Sequence, residues 1–202
     1  EGVIHDVRQR YIGSVFGTLW AVLFPLLQLS IYAALYSFIF KVRPVGLTEM
    51  GYVVLVFSGL VPLMVFNEAL VAATSSLASN KSLLLNTVFP AELIPLRAAV
   101  AGQVPSMIGL VITLIVGYAL DRTSWQAILL VPVFWVLLLM FALGIGWMLS
   151  LFSLVVRDIN HALGLIIMTM FVLSPFAYTP DMVPEAMKPL IYLNPMSFFV
   201  LT

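Results

Sequence analysis

The chain has 202 residues, of which 62% are hydrophobic and only 9% are charged. Soluble domains are about 45–50% apolar and about 25% charged, so the composition excludes an ordinary water-soluble globule and also a disordered chain. Nine basic residues balance nine acidic ones, and there is no cysteine. We therefore expect no nucleic-acid partner, no disulfide and no thiol chemistry. The remaining class is an integral membrane protein.

The first predicted element is an amphipathic helix over residues 1–18. Valine or tyrosine recurs at every fourth position from Val3 to Val15, while Arg8 and Arg10 lie among the polar positions. This spacing is typical of a helix that lies in the membrane interface. The alternative is a solvated lead-in to the first span.

Five long apolar runs follow, each close to the roughly 20 residues that cross a bilayer. They show no period-2 alternation, so they predict helices rather than barrel strands. The fourth is longer than a perpendicular helix needs and should tilt. The chain starts with Glu1 instead of Met and stops at Thr202 inside an apolar run, so we expect a sixth span to continue beyond it. The fold class is an all-α polytopic membrane helix bundle, one transmembrane domain over residues 1–202, with spans at 19–40, 52–74, 98–120, 128–156, 162–178 and the start of a sixth at 198–202.

Two segments between spans are apolar but too short to cross the membrane. Residues 79–90 can start at Ser79 or Asn80 and must end before Pro90; they predict either a helix that docks a partner or one packed on the membrane surface. Residues 176–195 are rich in proline, with few charges. They predict two half-helices that dip into the outer leaflet, or a plain exterior loop.

Motifs for chemistry on this chain are missing. The phosphate-binding pattern Gly-x-x-x-x-Gly-Lys is absent, and the only acid within a span is Glu68. An intramembrane acid suggests function by default; the alternative is a wetted acid or one hydrogen-bonded to a neighbouring helix. Aromatic side chains deep in the spans are usually packing or lipid-facing residues, but they could line a conduit for a sugar chain. The candidates for a substrate channel are Tyr32, Tyr36, Phe57, Phe66, Glu68, Trp147 and Phe171.

The ordered set of motifs resembles the type-2 ABC exporter permeases, and within them those that export polysaccharide: O-antigen, capsule and teichoic acid. The N-terminal match is Asp-Val-Arg-Gln-Arg-Tyr, ending at Tyr11, followed by Gly-Thr-Leu-Trp-Ala and Pro25. No single motif decides the resemblance, but the spacing is specific and covers essentially the whole chain. The further matching segments are residues 59–62, 66–69, 80–90, 92–95, 157–158, 173–175 and 192–195.

The resemblance implies a transport subunit, not an enzyme, with six spans per subunit and two copies in a homodimer. It implies two copies of a separate ABC ATPase, which would bind ATP and Mg²⁺, while this chain binds no cofactor or metal. It places the chain in the bacterial cytoplasmic membrane, among membrane lipids, with a cytoplasmic N-terminus; the near-equal distribution of basic residues between the two sides leaves this orientation open. The cargo would be a lipid-linked glycan.

The resemblance also assigns roles to residues. Residues 1–18, with Arg8, Arg10 and Tyr11, would form the interface helix, and residues 79–90 the coupling helix that enters an ATPase cleft. Residues 176–195 would form the outer gate. Two alternatives remain: a type-2 ABC permease for a drug or lipid, and a channel or secondary carrier that needs no ATPase. The coupling residues would be Asn80, Lys81, Leu84, Leu85, Val88 and Phe89, and the outer gate residues Pro175, Tyr178, Pro184, Asn194 and Pro195.

Overall fold

A computed structural model of the chain describes residues 14–39, 48–86, 90–121, 123–156, 158–176, 178 and 183–201. These residues form helices and no strand, so the prediction of an all-α bundle is confirmed. A 3-10 turn, Gly17–Leu19, leads into the first helix, and a π-helical turn, Leu35–Ile39, follows it. The helices are α1 Trp20–Ala34, α2 Glu49–Ser79, α3 Lys81–Asn86, α4 Leu93–Gly102, α5 Val104–Ala119, α6 Trp125–Val155, α7 Ile159–Leu173, α8 Lys188–Leu193 and α9 Pro195–Leu201.

Local sequence accounts for where the two longest helices begin. The Thr48 hydroxyl accepts a hydrogen bond from the Gly51 amide at 3.2 Å and caps α2, whose first turn carries Glu49. The Ser124 hydroxyl caps α6 in the same way, from the Ala127 amide at 3.3 Å. Each cap satisfies an amide that has no carbonyl partner within its own helix.

Proline shapes the third apolar run, where α4 and α5 meet at a bend of 41°. Pro105 has no amide hydrogen, and its ring crowds the carbonyl four residues earlier, so the helix cannot continue straight through Gly102 and Gln103. The helical run begins at Leu93, before the predicted start of the span at 98–120, and contains this bend.

Other boundaries also differ from the sequence prediction. Helix α7, in the run predicted as a span to Tyr178, ends at Leu173 because the residue before Pro175 is pushed out of the helical region. The helix predicted over residues 79–90 begins at Lys81, since Ser79 is still the last residue of α2. The last helix begins at Pro195, three residues earlier than predicted, because proline is favoured at the first helical position.

Helix α2 is the centre of the bundle and packs against α1, α4, α5, α6, α7 and α9. Its tightest partner is α6, where small residues allow the two backbones to approach. A Cβ added at Gly146 of α6 would lie 2.5 Å from the Cβ of Ala73. Ala142 and Ser150, one turn to either side of Gly146, are fully buried. Such small residues at four-residue spacing are typical of close helix packing in membranes.

The lengths and compositions of the helices fit a membrane. Helices α2 and α6 are each long and apolar enough to cross it, and the bent pair α4–α5 qualifies as a third span if it is counted as one. Helices α1 and α7 are shorter apolar helices. The 3-10 and π turns extend the helical run of α1 to residues 17–39, close to the length that a span requires.

Candidate functional site

An aromatic cluster occupies the end of the bundle near the start of α2. The rings of Tyr32 and Tyr36 stack with centroids 6.5 Å apart. Both tyrosines meet the edge of Phe176, at 5.9 and 5.7 Å. Phe171 of α7 lies 5.6 Å from Tyr32 and 5.0 Å from Phe176. The structure thus brings together three of the predicted channel residues around Phe176, which the sequence analysis did not select.

Glycine at position 59 allows the turn after α7 to reach this cluster. A Cβ added at Gly59 would lie 2.6 Å from the Cβ and 2.7 Å from the Cα of Phe176. No side chain fits there without moving the backbone of residue 176. Gly59 therefore sets how deeply Phe176 enters between α2 and the tyrosines. The four rings form one unit, with Phe176 buried and the two tyrosines and Phe171 partly exposed.

Asn194 ties the beginning of α9 to the end of α7. Its amide nitrogen donates to the Met170 carbonyl at 2.8 Å and to the Ser174 hydroxyl oxygen at 2.9 Å. Its side-chain oxygen accepts from the Met196 amide at 3.0 Å and so caps α9. Asn194 and Ser174 are both buried. One side chain therefore satisfies polar groups on two helices at once.

The remaining predicted gate residues precede or follow Asn194 in the chain. Pro175 is buried immediately after Ser174, and the Tyr178 hydroxyl donates to the Leu173 carbonyl at 3.1 Å. Tyr178 lies outside the spanning helices; burial raises the pKa of its phenol above the usual range, with a smaller contribution from Tyr36, so the hydroxyl stays protonated and able to donate. Pro195 is the first residue of α9, while Pro184 is exposed before a 3-10 turn.

Three other predicted channel residues are not among the four rings of the aromatic cluster. Phe57 is buried in the core. Phe66 stacks on Phe141 of α6 at 6.0 Å, and Phe141 contacts Phe199. The indole nitrogen of Trp147 donates to the Glu92 carbonyl at 2.9 Å and thereby joins α6 to the start of α4. The structure therefore distributes the predicted residues over at least two regions.

Glu68 is hydrogen-bonded to a neighbouring helix, which is the second of the two interpretations left open by the sequence. The Ser106 hydroxyl of α5 donates to its carboxylate. One turn earlier on α2, the Val65 carbonyl accepts from the Gln103 side chain at 3.1 Å. Ser106 and Gln103 are both fully buried. Neither residue was predicted from the sequence, although a polar residue beside a proline in an apolar run is a detectable signal.

At the other end of α2, Asn80 separates α2 from α3. Its side chain and its backbone amide both donate to the Ser76 carbonyl, at 2.9 and 3.1 Å, and its own carbonyl accepts from the Leu84 amide. Lys81 and Leu85 are exposed and Leu84 is partly buried. The predicted coupling residues Val88 and Phe89 lie outside the described residues, as do Arg8, Arg10 and Tyr11 of the predicted interface helix.

Known proteins resemble this chain in sequence. A family model described as ABC-2 type transporter matches residues 4–200. The chain belongs to this family. The family assignment covers nearly the whole chain and agrees with the resemblance drawn from the motifs, and it identifies the chain as a membrane transport subunit.

Relatives of this ABC-2 family chain are named for polysaccharide transport. An O-antigen export system permease protein RfbA of Klebsiella pneumoniae is 30% identical over 98% of this chain and 74% of the relative. The Myxococcus xanthus protein of the same name is 24% identical over 96% of this chain and 74% of its own length. The Polysialic acid transport protein KpsM of Escherichia coli is 20% identical over the same shares.

Proposed function

We propose that this chain is the transmembrane subunit of an ABC exporter that moves a lipid-linked polysaccharide across a bacterial cytoplasmic membrane. The observation that carries the proposal is the similarity, over nearly the whole chain, to relatives named for O-antigen export and for polysialic acid transport. Those two names share one class of cargo, a polysaccharide. A drug or lipid cargo has no comparable support.

The proposed energy source is a separate ABC ATPase, which would bind ATP and Mg²⁺ on its own chain. The sequence has no phosphate-binding pattern, whereas α3 presents Leu85 with 74% of its surface exposed. An exposed leucine on a short helix beyond the end of a span is suited to a partner's groove. Since α3 follows α2 directly at Asn80, a displacement of α3 by the ATPase would act on the central helix of the bundle.

The length of α2 supports opposite locations for the partner and the aromatic cluster. A helix of 31 residues is about 46 Å long at 1.5 Å per residue, enough to exceed the hydrocarbon core of about 30 Å. Gly59, which lies against Phe176 of the aromatic cluster, is in the half of α2 that begins at Glu49. Helix α3 follows the other end of α2. We assign the α3 end and the N-terminus to the cytoplasm, and a pair of copies to the working exporter.

The aromatic cluster is the proposed contact for the sugar chain. The faces of sugar rings that carry C–H groups stack on aromatic rings, while the hydroxyl groups keep their water. Tyr32, Tyr36 and Phe171 are each partly exposed and are held in place from behind by buried Phe176. In this proposal Phe66 and Trp147 serve packing and not the conduit, because they contact Phe141 and the Glu92 carbonyl.

The test compares two leucines of equal exposure on two six-residue helices. Leu85 of α3 and Leu193 of α8 are 74% and 77% exposed. The full-length chain is expressed with its candidate ATPase, carrying Leu85→Asp or the matched control Leu193→Asp. We expect Leu85→Asp to lose ATPase co-purification by about tenfold, because a charge would enter an apolar contact, and Leu193→Asp to keep it.

Glycan at the cell surface is measured on the same strains. Undiminished ATPase retention by Leu85→Asp, or equal losses by both variants, would contradict the docking surface. For the cargo, Tyr32→Ala and Phe171→Ala should lower glycan export at equal expression, while Tyr118→Ala, on the exposed face of α5, should not. Normal export by both cluster variants would remove the stacking hypothesis, and an ATP-driven complex that moves no glycan would refute the cargo.

A further inference from the structure

The bend between α4 and α5 lies between the two functional ends of the molecule. Helix α4 follows the α3 segment in the chain, packs against α2 and α6, and is joined to α6 by the Trp147–Glu92 hydrogen bond. Helix α5 packs against α2 and against α1, which leads into Tyr32 and Tyr36. Any displacement that reaches the tyrosines from α3 through these helices must pass the bend.

The backbone at the bend is weakly constrained by its own hydrogen bonds. Pro105 cannot donate to the carbonyl four residues earlier. The Gln103 amide donates to Val100 at 3.1 Å, a tighter turn than the α-helical one, and its carbonyl then accepts from Met107 at 2.8 Å to start α5. A missing backbone hydrogen bond at such a point makes a helix easy to bend. The angle of 41° between α4 and α5 therefore requires support from outside these two helices.

That support comes from one turn of α2. The Gln103 side chain donates to the Val65 carbonyl at 3.1 Å, and the Ser106 hydroxyl donates to the Glu68 carboxylate. Positions 65 and 68 are three residues apart, so they share a face of α2, as positions 103 and 106 do on the other side. Because Gln103 and Ser106 are 1% and 0% exposed, water does not compete for either hydrogen bond, and each is costly to lose.

We propose that Glu68 and Ser106 are positioning residues for transport, which hold the α4–α5 bend in register with α2. A displacement of α3 and α4 by the ATPase then reaches α5 and α1 as a rigid movement instead of being absorbed at the bend. This inference rests on the proposed function. It gives Glu68 a role as an acceptor for Ser106 and not as a charge that meets the cargo or a proton.

The first experiment measures the number of glycans exported per ATP hydrolysed, using the full-length chain with its ATPase in proteoliposomes. We expect Ser106→Ala and Glu68→Leu to lower this ratio about tenfold, within the range of coupling between distant sites, while hydrolysis stays within about twofold. The control is Ser76→Ala, the same truncation at a buried serine of α2 whose hydroxyl donates to Ala73 in its own helix. It should leave the ratio unchanged.

The conservative variant Glu68→Gln distinguishes a positioning role of residue 68 from a role of its negative charge. In Glu68→Gln the side-chain carbonyl can still accept from Ser106 without carrying a charge, so we expect most of the ratio to be retained. A loss in Glu68→Gln equal to that in Glu68→Leu would overturn the inference and favour a direct role for the carboxylate. Equal ratios in Ser106→Ala and wild type would overturn it as well.

A second experiment needs neither ATPase nor glycan, so its result does not depend on the proposed function. The 202 residues contain no cysteine, so Leu93→Cys with Ile115→Cys gives each copy one labelling site on either side of the bend, both at exposed positions. In lipid nanodiscs, electron paramagnetic resonance should give a narrow distance distribution in the parent and in Ser76→Ala. It should broaden in Ser106→Ala. An unchanged distribution would show that Ser106 does not hold the bend.

Discussion

Helices α2 and α6 have the same length and one internal proline each, but they differ in how deeply they are buried. Each has 31 residues and one internal proline, Pro62 or Pro132. In the most apolar 18-residue stretch of each helix, 61% of residues are buried in α2 and 17% in α6, although α6 is the more apolar of the two. In a water-soluble protein the more apolar helix would be the one at the centre. The inversion is what a lipid solvent requires, because lipid tails solvate leucine as well as protein does.

The central helix is distinguished by its small and polar residues. The buried positions of α2 include two glycines, two alanines, and Thr74 and Ser76, and the helix also carries Glu68. Helix α6 buries such residues along one stripe, from Ala142 through Gly146 to Ser153. The buried face of α2 therefore combines large apolar side chains with small and polar residues that let backbones approach and hydrogen bonds form between helices.

The largest effect is expected from placing a charge on the outer face of α6. Met140 is near the middle of the helix and 64% exposed. Met140→Arg should cost about 2.5–3.5 kcal/mol of insertion free energy, as for arginine at the centre of a span. The measurement is the fraction of full-length chain inserted in microsomes, with a glycosylation site as reporter. Val155→Arg, at the end of α6, is the control, since arginine there can reach the interface. Equal insertion of both variants would contradict a lipid-facing α6.

A smaller effect is expected from filling the contact between the two helices. Gly146→Leu would force side-chain atoms into Ala73 and should cost about 1–3 kcal/mol, as overpacking does. The control lies two residues away, because no described atom is within 4 Å of a Cβ added at Gly144. Thermal unfolding in nanodiscs should show a lower midpoint for Gly146→Leu alone. If Gly144→Leu lowers the midpoint equally, the two faces of α6 do not differ as described.

The smallest effect is expected from one hydrogen bond across the same contact. The Ser153 hydroxyl donates to the Thr74 carbonyl of α2 at 2.9 Å and also to Ser150 in its own helix. Ser153→Ala should cost about 0.6 kcal/mol, the average for such bonds in a membrane. Ser150→Ala is matched, since the Ser150 hydroxyl donates to the Trp147 carbonyl of α6 itself. Reversible unfolding in mixed detergent can resolve this difference in the free energy of unfolding. Equal losses in the two variants would show that the hydrogen bond between the helices does not stabilise the fold.

The sequence predicted much of the fold because each long apolar run is a strong signal. It did not predict which helix is central, since hydropathy does not distinguish contact with lipid from contact with protein. The helix ends that differ from the predicted span limits depend on single residues. Pro105 bends the third run and Pro175 shortens the fifth, through steric effects that act over one turn and are small in a window of 20 residues.

The candidate site was predicted in part for a similar reason. Tyr32 and Tyr36 are one turn apart, so their stacking follows from helical spacing. The convergence of Phe171 and Phe176 on them depends on the turn after α7 and on the space left by Gly59, which only the tertiary structure supplies. Glu68 was selected as the one acid in a span, but its partner Ser106 is 38 residues away. A serine in an apolar run gives no indication of which helix it faces.

The clamp formed by Asn194 has a consequence for how the exporter can vary. Asn194 joins Met170 and Ser174 across a stretch of about 20 residues, so one side-chain amide holds the two ends of the segment between Ser174 and Asn194 together. The cost of closing a loop rises slowly with its length. Residues can therefore be inserted near exposed Pro184 without moving α7 or α9. This surface of the molecule can diversify, or accept an epitope tag, while the helices keep their positions.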